Sequence, residues 1–385
     1  MCTIGELITK VGSGVTPRGG EAVYKTEGHP FVRSQNVGLG NLLLDDIAFI
    51  DEETHLRQKN TELQFNDVLL NITGASIGRS ALVDKQIVGG NVNQHVCIIR
   101  TKENLVPSFI CSFLLSNYGQ RQIDSFQAGG NRQGLNFEQI KSIKITIPSK
   151  DEQIKIAKLL RAIDERIATQ NKIIEKLQSL IKGLNDHILK NIEGDQVCFA
   201  DLGEAYGGLS GKSGDDFGCG DPFITYMNVY QNTYISENDY ELVQIAPDEK
   251  QNSVQYGDAL FTLSSETPEE VGMGAVYLGK SQKLYLNSFC FGVHFHGNRV
   301  LPQYIAHFIS STSFRKAIYP LAQGSTRFNL QKQDFMRMKF VLPFLEEQKR
   351  IATALDALYN HLANEKLLTE QYLLLKQYLL QQMFI

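Results

Sequence analysis

Residues 149–192, SKDEQIKIAKLLRAIDERIATQNKIIEKLQSLIKGLNDHILKNI, decide the fold of this chain. Ser149 and Glu152 have the spacing of a capping box at a helix start, and Pro148 keeps the preceding residues out of the helix. An apolar stripe follows at heptad spacing, interrupted by Gln170. The stripe consists of Ile156, Leu160, Ile163, Ile167, Ile174, Leu177, Ile181, Leu184 and Ile188. This pattern predicts one helix, about 60 Å long, that needs a partner for its apolar face.

The start of this helix recurs later in the chain. PSKDEQIKIA (148–157) matches PFLEEQKRIA (343–352), an offset of 343 − 148 = 195. VPSFICSFLLS (106–116) matches LPQYIAHFISS (301–311) at the same offset. Landmarks that recur in one order at constant spacing indicate a duplicated unit. The second helix keeps its stripe at Ile351, Leu355, Leu358 and Leu362.

The resulting fold class is α+β, with two β-rich domains that are each followed by a long helix. We expect domains at 1–148 and 195–343 and helices at 149–194 and 344–385. The two helices are expected to form an antiparallel coiled coil, which would relate the repeats by a pseudo-twofold axis. In the first domain, short runs with turn residues between them predict strands at 31–37, 67–72, 80–83, 93–100 and 140–148, and an amphipathic pattern predicts a helix at 106–123.

Composition narrows the function classes. The chain has 385 residues, 42% of them hydrophobic, and a net charge of −4. A small nucleic-acid-binding domain acting alone is usually basic, so any such role here needs local patches or partners. The six cysteines show no CxxC spacing and are interpreted as reduced thiols. No long apolar run is present, which favours a cytoplasmic protein without a membrane partner.

The duplicated helix starts, Asp151-Glu152-Gln153 and Glu346-Glu347-Gln348, carry a specific resemblance. Together with the two β-rich domains they resemble the specificity (S) subunit of type I restriction-modification systems, over essentially the whole chain. The resemblance implies two target-recognition domains that read a bipartite site in double-stranded DNA, and two spacer helices. It also implies two methyltransferase (M) subunits docked on those helices, with restriction (R) subunits in the full complex.

The same resemblance implies a non-catalytic subunit that holds no cofactor. S-adenosylmethionine and ATP would then belong to the partner subunits. Two alternatives stay open, namely the specificity subunit of a type IIB-like restriction enzyme and a coiled-coil scaffold that does not bind DNA. A stand-alone methyltransferase is disfavoured because its motifs are missing. A basic concave face on each β-rich domain would favour DNA reading over the scaffold.

DNA-reading candidates are loop residues with suitable donors and acceptors, since Arg and Lys suit guanine or phosphate and Asn and Gln suit adenine. In the first domain they are Arg18, Arg33, Ser34, Gln35, Asn36, Asn71, Thr73, Arg79, Asn93, Gln94, Asn131, Arg132 and Gln133. In the second they are Lys212, Ser213, Thr225, Tyr226, Asn228, Ser264, Ser265, Asn287, Ser288, Thr326, Arg327 and Asn329. The glycine-containing loops 128–136 and 322–329 are the strongest of these. Asn93 and Asn287 could equally be structural residues that repeat with the fold.

Three motifs suggest other chemistry and are interpreted against it. GGLSGKS (207–213) approaches a P-loop but has Tyr206 where the first glycine belongs. Asp221-Pro222-Phe223 lacks one proline of an adenine methyltransferase motif and is expected to begin a strand. His294 and His296 lie on one strand face, but no third metal ligand is near in sequence, which favours a surface or packing role.

Overall fold

The structure is a computed structural model that describes residues 1–17, 19, 23–127, 134–190 and 192–384. The chain forms two compact units. Unit 1 contains Met1–Lys172 and Lys366–Ile385, and unit 2 contains Ile173–Glu365. Each unit therefore combines one β-rich part with a segment of both long helices.

Unit 1 is built on a four-stranded antiparallel sheet in the order β2-β8-β5-β6, with smaller sheets β4-β3-β7 and β1-β9. Its strands are β1 (Cys2–Thr3), β2 (Ile8–Ser13), β3 (His29–Val32), β4 (Ala48–Ile50), β5 (Val68–Asn71), β6 (Ser80–Leu82), β7 (Asn91–Val92), β8 (Val96–Thr101) and β9 (Lys144–Ile145). Its helices are α1 (Ile4–Leu7), α2 (Glu52–Arg57), α3 (Pro107–Leu115), α4 (Asn117–Ser125), α5 (Phe137–Ser142) and the first part of α6 (Lys150–Lys190).

Unit 2 repeats this plan with the four-stranded order β11-β18-β14-β16 and smaller sheets β13-β12-β17, β15-β20-β19 and β10-β21. Its strands are β10 (Asp195–Cys198), β11 (Gly203–Gly207), β12 (Phe217–Ile224), β13 (Tyr240–Val243), β14 (Ala259–Thr262), β15 (Ser264–Ser265), β16 (Gly274–Val276), β17 (Tyr285–Leu286), β18 (Cys290–Phe295), β19 (Ala322–Gln323), β20 (Phe328–Leu330) and β21 (Lys339–Leu342). Its helices are α7 (Phe199–Leu202), α8 (Tyr226–Gln231), α9 (Pro302–Ile309), α10 (Thr312–Ile318), α11 (Lys332–Met336) and the first part of α12 (Leu345–Met383). The predicted α+β class and internal repeat are confirmed.

Both faces of the main sheet of unit 1 are buried. Because side chains alternate along its strands, neighbouring residues enter different apolar clusters. Val68 and Leu70 of β5 join one apolar cluster, which also contains Phe109 of α3. Leu69, between them, joins a second cluster with Val32 of the smaller sheet. The near-continuous apolar runs of the sequence are thus explained by helices on one face and a second sheet on the other.

A shared hydrogen-bonded frame relates the two units residue by residue. The backbone N–H of Asn93 donates to Val32 O at 3.0 Å, and the N–H of Asn287 donates to Ile224 O at 3.0 Å. In both units the carbonyl at the end of one strand, β3 or β12, thereby fixes the turn that follows a neighbouring strand, β7 or β17. The repeat seen in the sequence is therefore a repeat of backbone geometry.

A buried aspartate occupies the same place in both units. Asp67 accepts from Arg100 Nε and Nη2, both at 2.7 Å, and this bond raises the pKa of Arg100. Asp258 faces His294 Nδ1 at 2.8 Å and accepts from the Tyr206 hydroxyl at 2.5 Å. Burial raises the pKa of the Asp258 carboxyl. His294 thus packs against a buried carboxylate, and the part of the chain that the structure describes holds no metal-binding cluster of three His, Cys, Asp or Glu residues.

The repeated glutamine at each helix start joins the helix to the preceding domain. Gln153 Oε1 accepts from the backbone N–H of Val106 at 2.8 Å, and Gln348 Oε1 accepts from that of Leu301 at 2.7 Å. Each amide Nε2 also donates to the carbonyl of the proline five residues earlier, at 3.1 and 2.8 Å. Both side chains are almost fully buried. The recurring glutamine therefore reflects one buried joint that each unit needs.

The predicted capping box at Ser149 is confirmed. The backbone N–H of Ser149 donates to Glu152 Oε2 at 3.0 Å, and the N–H of Glu152 donates to Ser149 Oγ at 3.4 Å. The hydrogen bond from the Ser149 hydroxyl lowers the pKa of Glu152. Helix α6 begins one residue later, as this cap requires.

Within unit 1 the two long helices run antiparallel. Asp164 of α6 pairs with Lys376 of α12 at 2.6 Å. Leu160, earlier in α6, lies in the same apolar cluster as Leu380 and Phe384, later in the chain. In both units the stripe is turned inward. Leu160, Ile163, Ile181, Ile351, Leu355 and Leu362 are buried, and Ile156, Ile167, Ile174, Leu177, Leu184 and Leu358 are half-buried.

One predicted helix of unit 1 is interrupted by a side-chain cap. The helix predicted at 106–123 is divided into α3 and α4, because Ser116 has extended backbone and its Oγ accepts from the Gly119 N–H at 3.1 Å. A Cβ at Gly119 would lie 2.3 Å from Phe113 O, so the second helix also packs tightly there. The backbone turns at Ser116, so the prediction of one continuous helix was wrong.

The strands predicted at 31–37 and 140–148 are shorter than expected. β3 ends at Val32 because the backbone N–H of Arg33 donates to Asn36 Oδ1 at 2.9 Å and turns the chain. Asn136 and Gln139 form a capping box that makes 137–142 helical, leaving only Lys144–Ile145 as strand. In both cases a local side-chain bond outcompetes strand pairing.

Candidate nucleic-acid interface

The predicted DNA-reading residues divide into exposed side chains and side chains bonded within the fold. Gln35, Arg79, Gln94, Ser213, Ser288, Thr326, Arg327 and Asn329 are exposed. Arg33, Ser34, Thr73, Lys212, Thr225, Tyr226, Ser264 and Asn287 are half-buried, and Asn36, Asn71, Asn93, Asn228 and Ser265 are buried. Arg18, Asn131, Arg132 and Gln133 lie outside the described residues.

Arg33 and Asn36 hold a loop in unit 1 through Asp46. Arg33 Nη2 donates to Asp46 O at 2.7 Å, and its guanidinium lies 5.5 Å from the ring centroid of Tyr24. Asn36 is fully buried and donates to Asp46 Oδ1 at 2.9 Å, while the exposed Gln35 also donates to this carboxylate. The cluster leaves Gln35 as its outward-facing amide.

A chain of polar side chains that contains no carboxylate or guanidinium lies beside this loop. The Thr73 hydroxyl contacts His95 Nδ1, and His95 Nε2 lies 3.0 Å from Gln94 Nε2. Gln94 Oε1 in turn contacts the hydroxyl of Thr16. Behind it, Asn71 Nδ2 donates to backbone and hydroxyl oxygens of its own unit at 2.8 and 3.1 Å. We name Thr16, Thr73, Gln94 and His95 the polar chain of unit 1.

Three of the predicted asparagines stabilise turns. Asn93 Oδ1 accepts the N–H two residues later at 3.0 Å, and Asn287 Oδ1 does the same at 2.9 Å. Asn228 is fully buried and donates to Ser236 O at 2.8 Å. The structural alternative for Asn93 and Asn287 therefore has direct geometric support.

Lys212, the lysine of the P-loop-like segment, is held by Glu249. Its side chain is 8% exposed, and its ammonium contacts this carboxylate and donates to Gln244 O at 2.6 Å. The hydrogen bond from Lys212 is the main cause that lowers the pKa of Glu249 to about 2. The lysine thus closes a turn of unit 2.

Unit 2 carries a cleft of 340 Å³ near the exposed hairpin between β19 and β20. It is lined by Tyr226, Met227, Tyr230, Ser264, Ser265, Glu266, Glu270, Phe289 and Arg327. Tyr226 and Tyr230 are stacked at 6.0 Å, and Phe289 and Met227 are 56% and 52% exposed. We name this site the aromatic cleft.

The polar groups of the aromatic cleft are only partly used. Tyr230 donates to Glu270 Oε1 at 2.6 Å, which lowers the pKa of Glu270 and raises that of Tyr230. Tyr226 donates to Ser264 O at 2.8 Å. One guanidinium faces two carboxylates, so the expectation of a basic concave face does not describe this cleft.

The aromatic cleft and the polar chain occupy the same place in the shared frame. The N–H of Ile72 donates to His95 O at 3.0 Å, and that of Leu263 donates to Phe289 O at 2.8 Å, so His95 and Phe289 correspond. Thr73 pairs with Gly134 as Ser264 pairs with Asn329 in β20. One backbone position therefore presents hydroxyl, amide and imidazole groups in unit 1 and aromatic, carboxylate and guanidinium groups in unit 2.

Met227, Tyr230, Glu266, Glu270 and Phe289 were missed by the sequence reasoning. That reasoning selected amide and basic residues in loops and passed over aromatic and acidic ones. The repeat itself carried a usable signal, because aligning NQH (93–95) with NSF (287–289) places an aromatic residue opposite a polar one.

The common frame, with a different surface on each copy, describes a two-domain protein built by internal duplication. A family model described as type I restriction modification DNA specificity domain matches residues 1–179 and 212–371. The chain therefore belongs to this family. No helix in the described part of the chain is long and apolar enough to cross a membrane.

Relatives of this chain agree with that assignment. The EcoKI specificity subunit of Escherichia coli K12 is 23% identical over 388 residues, covering 91% of this chain and 80% of the relative. The type I specificity subunit from M. genitalium has a similar fold, with a TM-score of 0.57, 14% identity, and coverage of 100% and 95% of the two chains. A chain from a structure of type I restriction-modification complex assembly has a TM-score of 0.60 and 16% identity, with coverage of 98% of this chain and 95% of that chain.

Proposed function

We propose that this specificity subunit binds double-stranded DNA and reads a bipartite target, with one half-site for each unit. The observation that carries the proposal is the difference between the polar chain and the aromatic cleft on one shared frame. A purely structural duplication would keep equivalent contacts at both places, as it does at Asn93 and Asn287. The exposed candidates Gln35, Arg79 and Arg327 are the side chains that we expect to contact the DNA. We place the protein in the cytoplasm, where the DNA lies.

We propose further that the chain is non-catalytic and holds no cofactor itself. Its reactive-looking groups are engaged in the fold, since Lys212 pairs with Glu249 and His294 with Asp258. Methyl transfer with S-adenosylmethionine, and ATP-dependent cleavage, would then belong to two methyltransferase (M) subunits and to restriction (R) subunits.

An exposed apolar face on α12 supports protein docking in unit 1. Leu367, Leu368, Leu373, Leu374, Leu375 and Tyr378 are between 37% and 65% exposed. Such a cluster on a helix marks a protein interface more often than a free surface. We propose that it receives a methyltransferase subunit.

The deciding experiment is co-expression with the methyltransferase subunit of the same system in a host without DNA methylation. Methylated bases are then mapped across the genome. We expect one split target in the presence of both proteins and no methylation with either protein alone. Methylation by the purified chain with S-adenosylmethionine would contradict the non-catalytic proposal, and the absence of any target would contradict the DNA-reading proposal.

A further inference from the structure

Two exposed side chains in the aromatic cleft have complementary hydrogen-bonding chemistry. Arg327 offers donors, and Glu266 offers acceptors. Neither side chain forms an ion pair or hydrogen bond with the rest of the described chain, whereas Glu270 is already bonded to Tyr230 and Ser265. Arg327 and Glu266 are therefore charged groups of this cleft that remain available to a ligand.

The charge of the aromatic cleft excludes a simple phosphate site. Glu266 and Glu270 outnumber the single guanidinium, so a phosphate placed here would be repelled. Base edges behave differently, because a carboxylate accepts from the amino group of cytosine and arginine donates to O6 and N7 of guanine. The exposed ring of Phe289 adds an apolar surface suited to a neighbouring base.

The equivalent place in unit 1 indicates that the ligands of the two units differ. The polar chain there contains no carboxylate or guanidinium and is already linked by internal contacts through Thr73, His95 and Gln94. The backbone that carries both surfaces is the same, with matching bonds at Ile72 and Leu263. Different chemistry on identical support suits two readers of unlike sequences.

We propose that the aromatic cleft reads a C·G base pair in the half-site of unit 2. Arg327 contacts the guanine, Glu266 accepts from the cytosine amino group, and Phe289 packs against the adjacent base. This inference rests on the proposed function, namely that unit 2 binds duplex DNA.

The test uses the complex of this chain with its methyltransferase subunit and compares methylation maps. Glu266→Gln and Arg327→Ala should each relax selection at the same single base pair of one half-site, by roughly 10- to 100-fold. Glu269→Gln serves as the matched control, because Glu269 is exposed and is not among the residues that line the cleft. His95→Ala should change the other half-site only.

The outcomes separate the inference from the function on which it rests. If the wild-type complex has a split target and both cleft variants retain it unchanged, the cleft assignment is overturned and the proposed function stands. A target without a C·G pair at the affected position also overturns the assignment. Equal loss of selection at both half-sites, together with failed assembly of the complex, overturns it as well and would indicate a protein ligand. If the wild-type complex has no split target, both proposals fail.

Discussion

Replacement of Gln348 by alanine is expected to loosen unit 2 selectively. The Gln348 side chain is fully buried, accepts from the N–H of Leu301 at 2.7 Å, and donates to the carbonyls of Arg299 and Pro343, each at 2.8 Å. Truncation removes all three bonds. Leaving a buried polar group unsatisfied costs about 1–3 kcal/mol, and water entering the polar space offsets part of the sum. We therefore expect the opening free energy of unit 2 to fall by about 3 kcal/mol.

Hydrogen–deuterium exchange read by mass spectrometry measures this change within each unit. A loss of about 3 kcal/mol corresponds to roughly 100-fold faster exchange for amides that exchange through opening of the unit. The effect should be concentrated in peptides covering 299–309 and 343–355. Peptides from 1–148 should keep their rates.

Three further variants distinguish the hydrogen bonds from other effects. Gln348→Met keeps most of the side-chain volume and should remain destabilised, because the three backbone groups stay unpaired. Gln153→Ala should shift the loss to unit 1, where Gln153 has the same role. Gln178→Ala changes an exposed glutamine of α6 and should have no effect. If Gln348→Ala exchanges like Gln178→Ala, the buried-joint reasoning is refuted.

Two other predictions concern partner binding and pH. Leu374 is 65% exposed on α12, and Leu374→Glu should reduce co-purification of the methyltransferase subunit without changing thermal stability. Leu56 is 53% exposed elsewhere in unit 1, and Leu56→Glu should leave co-purification intact. Equal binding by both variants would contradict the docking proposal. His307 lies 2.7 Å from Asp356, and burial lowers its pKa below 6.5. As pH falls, the His307 imidazole therefore binds a proton in the unfolded chain before it does so in the folded one, and the stability of unit 2 should fall as pH drops through 6.5. His307→Gln should weaken that dependence in thermal denaturation. A parallel pH profile in the two proteins would exclude His307 as the cause.

The repeat and the helix starts could be predicted from the sequence because they depend on local spacing. The cap at Ser149 and the apolar stripe around Leu160 need no knowledge of distant residues. The two long helices accordingly begin at Lys150 and Leu345, close to the predicted positions.

The candidate site was harder to predict because the donors that read bases are the same donors that hold loops. Asn36 and Gln35 are neighbours with identical amide chemistry, yet one is fully buried and the other exposed. Both amides donate to Asp46, but Asn36 also donates to the backbone carbonyl of Leu43, and the partner of Lys212 is Glu249. Sequence patterns alone do not specify such loop closures, which depend on the assembled sheets.

The two copies within one chain serve as an internal comparison that separates support from recognition. At supporting positions the contact is kept even when the residue changes, since Arg100 and His294 both bind a buried aspartate. At the position of His95 and Phe289, which we propose is the reading position, neither the contact nor the residue is kept, because His95 joins a polar chain while Phe289 is exposed. Substitutions at supporting positions should therefore change hydrogen exchange before they change the target sequence. Substitutions at the reading position should change the target sequence at unaltered exchange, so the two measurements together assign any residue of either unit to one role.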